Sequence, residues 1–254
     1  MKTCFLMENR GLSADNGGMI RHLQRLIFIA GLTGLIALAA WPYHDGALRY
    51  GLPLSLLATW SSGLWFVRKD KFPRMFLLVA PVVLAVPFVL PGKPLDADRL
   101  HTCYIAALRK LEGAPYLWGG ESRRGIDCSG LPRRAMRDAL LETGLATGNG
   151  TAFREWATQW WFDTSAKALG ENYRGFTRPL GIVGKLSDLG TGSLEAGDLA
   201  VTSDGRHVIV FLGNGEWIQA DPGPWKVAIG SPEKDDNPWF SSHVRMHRWM
   251  MLEP

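Results

Sequence analysis

The chain opens with three apolar runs. Residues 26–41, 50–67 and 75–91 hold no Asp, Glu, Lys or Arg over 16, 18 and 17 positions, at or just under the ~17–25 residues with which a helix crosses a bilayer. The first run carries a single polar side chain, Thr33, where a buried soluble helix would show a polar stripe. Trp41, Tyr43, Tyr50 and Trp65 stand at or near run ends, the depth at which interfacial rings gather. The middle run is the least apolar, with Thr59, Ser61 and Ser62 together, and Pro53, Pro81 and Pro87 predict kinks. The pattern therefore predicts three transmembrane helices. A soluble helix is the competing reading, and for the first run so is a cleaved leader ending near Ala37, Leu38 and Ala39.

After Pro91 and Gly92 the pattern changes to that of a globular domain. Leu100, Tyr104, Ala107, Leu108 and Leu111 recur at helical spacing and predict a helix over 97–112, ended by Gly113 and Pro115. A second helix is expected from Gly130 to about residue 141, with Pro132 in its first turn, where a missing N–H matters least. Residues 142–196 read as irregular except for one helix over 153–169. Strand patterns follow at 198–202, 207–212, 216–220 and 243–251. Helices first and antiparallel strands afterwards predict an α+β domain. The division expected is a membrane region over 1–92 and one domain over 93–254.

Charge sharpens this division. Residues 1–92 hold nine Lys/Arg against four Asp/Glu, and residues 93–254 hold nineteen against twenty, so the net charge of +4 belongs to the first part. A nucleic-acid partner needs a basic face on the folded part and is not expected. The cations Lys2, Arg10, Arg21 and Arg25 precede the first run, and Arg68, Lys69, Lys71 and Arg74 separate the second from the third. The first connection has only Arg49. By the positive-inside rule the N-terminus is cytoplasmic, and three crossings place the domain outside the cytoplasm, anchored in a lipid bilayer as a multi-pass inner-membrane protein. Three cysteines, Cys4, Cys103 and Cys128, stand too far apart for a disulfide framework or a zinc site. No metal and no cofactor are expected.

Two residues carry candidate chemistry. Cys128 lies at the mouth of the second helix, where unpaired N–H groups and the helix dipole favour a thiolate and can receive an oxyanion. A depressed thiol pKa is therefore expected there. His207 opens the apolar strand Val208 to Leu212, so its backbone is fixed while its ring sits at the rim. Cys103 reads as a buried, inert thiol on the first helix.

Tyr116-x-Trp118-Gly119-Gly120, Asp127-Cys128-Ser129-Gly130-Leu131, Gly197-Asp198-Leu199, His207-Val208-x-Val210-x-Leu212-Gly213-Asn214-Gly215 and Trp217-Ile218-Gln219-Ala220 occur in this order. Together they resemble the NlpC-type cell-wall peptidases over residues ~98–222. The resemblance implies a papain-like cysteine peptidase domain cutting peptidoglycan stem peptides. It implies Cys128 as nucleophile, His207 as general base and Gln219 as the polar residue orienting His207. It further implies that Tyr116, Asp127 and Ser129 receive the amino end of the stem peptide. Two features depart from the family pattern: relatives often carry a histidine at the third position, and residues 142–196 are longer than the usual connection. An amidase or acyltransferase of the same architecture on another amide or lipid, and a catalytically silent scaffold, are the competing functions.

Hairpin parity bears on the third residue. A two-residue turn at Asn214 and Gly215 would place 210 opposite 219 and turn Gln219 away from His207. A three-residue loop with a bulge pairs 209 with 219 and 207 with 221. Gln219 then shares the face of His207 one diagonal away, and Asp221 stands directly opposite as the alternative orienting residue. Phe153, Trp156 and Trp160 share a helical face and read as core, with a lid, a sugar-stacking surface or a membrane wedge as alternatives. Arg123, Arg124, Arg133, Arg134 and Arg137 surround the cysteine helix and read as solvated charge or as an attractor for an anionic substrate. His243 and His247 read as structural.

Overall fold

A computed structural model describes residues 9–162 and 164–253, with side chains described from residue 17 onward. Cys4 and Lys2 lie outside the described residues. The chain divides into two compact units. One comprises the residues up to Trp41 together with Gly46–Ala85, and the other comprises Pro42–Asp45 and the chain from Val86 onward.

The first unit consists of α1 (Asn9–Ala40), α2 (Gly46–Phe66) and most of α3 (Lys71–Val89). All three predicted helices form, but among the described residues two are long and apolar enough to cross a membrane, Gly17–Ala40 and Lys71–Val89. The polar groups that set α2 apart are used inside the unit. A Cβ at Gly31 or Gly34 of α1 would collide with Thr59 or Ser55 of α2, so glycine lets the two backbones approach as closely as small residues do in membrane bundles. Thr59 Oγ1 donates to the Ser55 carbonyl at 2.8 Å, and Trp60 Nε1 donates to the Leu77 carbonyl of α3 at 2.8 Å.

The second unit is α+β, as the order of patterns predicted. Its helices are α4 (Ala97–Lys110), α5 (Gly130–Thr147), α6 (Gly150–Trp161) and α7 (Ala166–Gly170). Its main strands are β3 (Thr177–Lys185), β4 (Leu199–Thr202), β5 (Val208–Gly213), β6 (Glu216–Asp221), β7 (Lys226–Gly230) and β8 (His243–Trp249), after a small β1–β2 ribbon at Glu121–Ser122 and Gly125–Ile126. The six strands pair antiparallel in the order β3-β8-β4-β5-β6-β7. Leu199, Val201, Val208, Val210 and Ile218 pack with α4 and α5 on one face, around Leu100, Tyr104, Leu108, Leu131 and Met136. Ala200, Ile209, Phe211 and Trp217 pack on the other face with Leu186, Phe240 and Met246. β5 is covered on both faces, which is why 208–212 is a continuous apolar run.

Besides the short ribbon β1–β2, the strands absent from the prediction are β3 and β7, the edges of the six-stranded sheet. β3 tolerates Pro179 and a bulge before Val183 because an edge needs fewer ladder bonds. The helix expected over 153–169 is two helices. Asn149 caps α6 by accepting the Thr151 N–H, and Ser165 caps α7 by accepting the Ala168 N–H, so serine and asparagine set boundaries that periodicity alone missed. α5 runs past residue 141 to Gly148, whose left-handed φ of 60° ends it.

Candidate active site

Cys128 stands between β2 and α5, held by the residue before it. One oxygen of Asp127 accepts the Gly130 N–H at 2.6 Å and the Ser129 hydroxyl at 3.0 Å, and the other accepts the Gly119 N–H at 2.8 Å. Asp127 therefore caps α5 in place of Ser129 and ties the helix mouth to the Tyr116–Gly120 loop. A side chain on Gly130 would collide with the Gly120 carbonyl, so glycine is required at that approach. The Cys128 thiol, 6% exposed, points to the Arg206 carbonyl at 3.7 Å, which brings the helix mouth against the turn entering β5.

That turn is pinned by Thr202. Its Oγ1 accepts the His207 N–H at 3.0 Å and the Arg206 N–H at 3.1 Å and donates to Asp204 at 2.7 Å. His207 Nε2 donates to Gln219 Oε1 at 2.7 Å. An amide oxygen only accepts, so Nε2 carries the proton and Nδ1 keeps the lone pair. The ring also stacks on Trp239, with centroids 4.0 Å apart and planes 16° from parallel.

The hairpin unites both turn readings. Gly213 pairs with Glu216 around Asn214 and Gly215, both at positive φ, and a bulge after Phe211 shifts the strand body to pair Val210 with Ile218. That register sets Gln219 on the face of His207. Asp221, opposite 207 in the same register, spends its carboxylate elsewhere: it accepts the Gly223 N–H at 2.8 Å and the Asn237 side-chain N–H at 2.5 Å. Asn237 in turn caps the turn Pro238–Ser241, which carries Trp239.

A cleft of ≈ 790 Å³ is lined by Cys128, His207, Trp239, Tyr116, Trp118 and Trp225. Asp127 and Ser129 line it too. The Tyr116 ring meets Trp225 edge-on at 5.8 Å. Its hydroxyl is pushed up to about 12 by burial and by the neighbouring Cys128, Asp127 and Asp221.

The electrostatics correct one expectation. Burial, with Asp127 adding to it, pushes the Cys128 thiol up to about 12, against the backbone N–H groups of Val208, Ser129 and Cys128 that favour the thiolate. Burial pushes His207 down to about 4, against Gln219, Asp221 and Asp204. Desolvation outweighs the helix mouth, so both shifts favour the neutral forms of the thiol and the imidazole. Cys103 is buried on α4, and its thiol is also raised, chiefly by burial.

The arginines divide: Arg123 and Arg124 are exposed and Arg134 is half-buried, as solvated charge would be, but Arg133 and Arg137 are not. Arg133 and Arg137 are buried on α5 and pair with Glu121 at 2.8 Å each, Arg134 pairs with Asp138 at 3.0 Å, and Arg123 donates to the Lys110 carbonyl. Burial would raise Glu121, but Arg133, Arg137 and His44 hold it below its ordinary value. His44, read from the sequence as part of the membrane portion, belongs to the second unit: its Nδ1 lies 3.2 Å from Glu121 Oε2 and its Nε2 donates to the Trp160 carbonyl at 2.8 Å. Phe153 is buried and Trp156 and Trp160 are half-buried, so their common face packs inward. Asp198 is also structural, forming two bonds to Arg248 at 2.7 and 2.9 Å and accepting the Glu195 N–H. His247 is buried on β8, and its two ring nitrogens have no hydrogen-bond partner among the described residues. No group of three His, Cys, Asp or Glu among the described residues could hold a metal ion.

Sequence reasoning missed Trp239, the Thr202 pin and the Glu121 cluster. Thr202 had a readable signal in its turn chemistry, Thr-Ser-Asp-Gly. Trp239 had none, because it arrives from 32 residues beyond His207 through tertiary contact.

The NlpC/P60 family model matches residues 113–245, more than half of the chain. Probable endopeptidases of Mycobacterium tuberculosis and Mycobacterium bovis are each 29% identical over 145 residues, covering 56% of this chain and 30% of theirs. The chain thus spans under a third of the length of the curated relatives it matches. Among solved structures, the P60 domain of a Mycobacterium avium subspecies paratuberculosis antigen is 18% identical with a TM-score of 0.39, over 62% of this chain and 98% of that one. The peptidoglycan hydrolase RipB of Mycobacterium tuberculosis is 18% identical with a TM-score of 0.36, over 70% and 87%. The chain belongs to the NlpC/P60 family and carries its papain-like α+β fold.

Proposed function

We propose that this protein is a membrane-anchored cysteine peptidase that hydrolyses an amide bond in peptidoglycan stem peptides. The observation that carries the reading is the convergence of Cys128, at the mouth of α5, with His207, whose Nε2 is committed to Gln219 at 2.7 Å. That bond leaves Nδ1 as the ring atom able to accept the thiol proton.

Because thiol and imidazole rest neutral, the proton moves from Sγ to His207 Nδ1 as sulfur attacks the carbonyl carbon. The tetrahedral oxyanion is received by backbone N–H groups at the mouth of α5. The imidazolium then protonates the leaving amine, a thioester remains on Cys128, and water activated by the same imidazole releases the acid. Gln219 holds the tautomer and Trp239 holds the ring plane. Tyr116, Asp127 and Ser129 line the side of the cleft that takes the substrate's amino end, with most of the Asp127 carboxylate already committed to its own loop.

The three helices of the first unit act as membrane spans. The eight Lys/Arg on the two inner segments, against one on the first connection, support a cytoplasmic N-terminus and a domain outside the inner membrane. Purified muropeptides digested by the full-length protein and analysed by mass should yield a product one amide bond shorter in the stem peptide, and Cys128→Ala should yield none. Intact muropeptides after incubation with well-folded wild-type protein would refute the substrate class.

A further inference from the structure

The region that matches the family begins at residue 113, yet the cleft is also lined by His44, far upstream. The connection between α1 and α2, Pro42–Asp45, belongs to the second unit. Tyr43 forms a β-bridge with Gly120, and the His44 N–H donates to the Gly119 carbonyl at 2.8 Å. The Gly119 N–H is held by Asp127 at 2.8 Å, and the Gly120 carbonyl accepts the Asp127 N–H at 3.0 Å. Both sides of the Gly119 residue are thus tied, one to the segment and one to the residue preceding Cys128.

The His44 side chain anchors the segment from beneath. Its Nε2 donates to the Trp160 carbonyl at 2.8 Å with the ring edge-on to Trp160 at 5.7 Å, and its Nδ1 lies 3.2 Å from Glu121, an ion pair when the ring is protonated. Glu121 is held at 2.8 Å by Arg133 and by Arg137, which project from the helix whose mouth carries Cys128. His44 is 7% exposed and lines the same cleft as Cys128 and His207. Its contacts reach the nucleophile from two directions, through the Gly119–Gly120 loop and through Glu121 to α5.

We propose that Pro42–Asp45 is a strap that holds the nucleophile loop in register, with His44 as a positioning residue acting on Cys128 through Gly119 and Glu121. The family domain in this chain is then incomplete without the connection between the two preceding helices. A loop that strays by an ångström loses catalytic rate out of proportion to the stability it costs, while its buried thiol becomes more accessible to a small reagent.

The test uses the full-length protein in detergent micelles and compares wild type, His44→Ala and His44→Gln. Iodoacetamide labelling of Cys128 and Cys103 at pH 9, followed by mass, reads how the thiol is presented whatever amide the enzyme cuts. Only the turnover arm, with purified muropeptides, rests on the peptidase reading. In His44→Ala the Cys128 labelling rate should rise at least about threefold with Cys103 unchanged, and kcat should fall about tenfold with KM within about twofold. His44→Gln, whose amide can keep the donor to Trp160, should recover part of both. If His44→Ala does not fold, His44→Gln carries the comparison against wild type through its lost contact with Glu121. Equal acceleration at both thiols would show general loosening and overturn the strap, as would labelling and turnover unchanged in either folded variant. Absence of muropeptide turnover in wild type would sink the substrate reading while the labelling ratio still decides the strap.

Discussion

Two cysteines in this chain share burial, a free thiol and a thiol pKa raised chiefly by that burial, yet their surroundings differ. Cys103 sits within α4, with Glu142 and Thr143 of α5 beside it. Cys128 stands at a helix mouth in a cleft, 3.7 Å from the carbonyl that precedes His207. Burial and pKa therefore fail to separate a candidate nucleophile from a core thiol. The separation comes from company: Cys128 lines a cleft together with His207, whose Nδ1 keeps its lone pair.

The widest test of this contrast is removal of each sulfur. Cys128→Ala should lower muropeptide turnover by about 10⁴-fold or more, as loss of a nucleophile does. Cys103→Ala should leave kcat within about twofold and cost about 1 kcal/mol in urea unfolding, the scale for a small buried group. Substantial turnover in Cys128→Ala would remove the distinction between the two sites.

The role proposed for His207 can be probed in the same way. Gln219→Ala should lower kcat about tenfold or more with KM little changed, because the imidazole then samples tautomers that cannot take the thiol proton. Asp221→Asn should cost less, since that carboxylate holds Asn237 and Gly223 rather than the ring. A greater loss in Asp221→Asn would assign the orienting role to the carboxylate.

The smallest effect sharpens the electrostatic side. His207 is pushed down to about 4, and His44 and His247 are also lowered, all chiefly by burial. Each protonates more readily in the unfolded chain, so its contribution to stability is present above the ordinary value near 6.5 and is lost as pH falls from there through the folded value. The Tm should decline by several degrees between pH 6.5 and 4, on the scale expected for such linkage in a domain of this size. His207→Asn should flatten that decline if it folds. The acid limb of kcat/KM should fall near pH 4, and a limb near 6.5 would show that His207 is not held neutral by its burial.

Local sequence carried some elements further than others. The helix 97–112 was legible because its apolar positions form one stripe and Asp96 caps it, and β5 because both of its faces are covered. The edges β3 and β7 were not legible; in β3, Pro179, Gly181 and Gly184 interrupt the apolar positions, as an edge strand tolerates. The long region 142–196 concealed the break between α6 and α7, where a capping serine outranks apolar spacing.

What the sequence determined by itself is the chemistry available and its order: a cysteine opening a helix, a histidine opening a strand, and a hairpin whose parity admits Gln219 beside that histidine. These are local facts, set by turn residues, helix caps and the two-residue period of a strand. Tertiary structure decided which of them are coupled. It gave the Asp221 carboxylate to Asn237, laid Trp239 on His207, buried Arg133 and Arg137 on Glu121 and drew His44 into the same cluster. None of these pairings is encoded within one turn or hairpin. They arise because buried charges and polar atoms must find partners wherever packing brings them together, and the same burial shifted Cys128 and His207 toward their neutral forms.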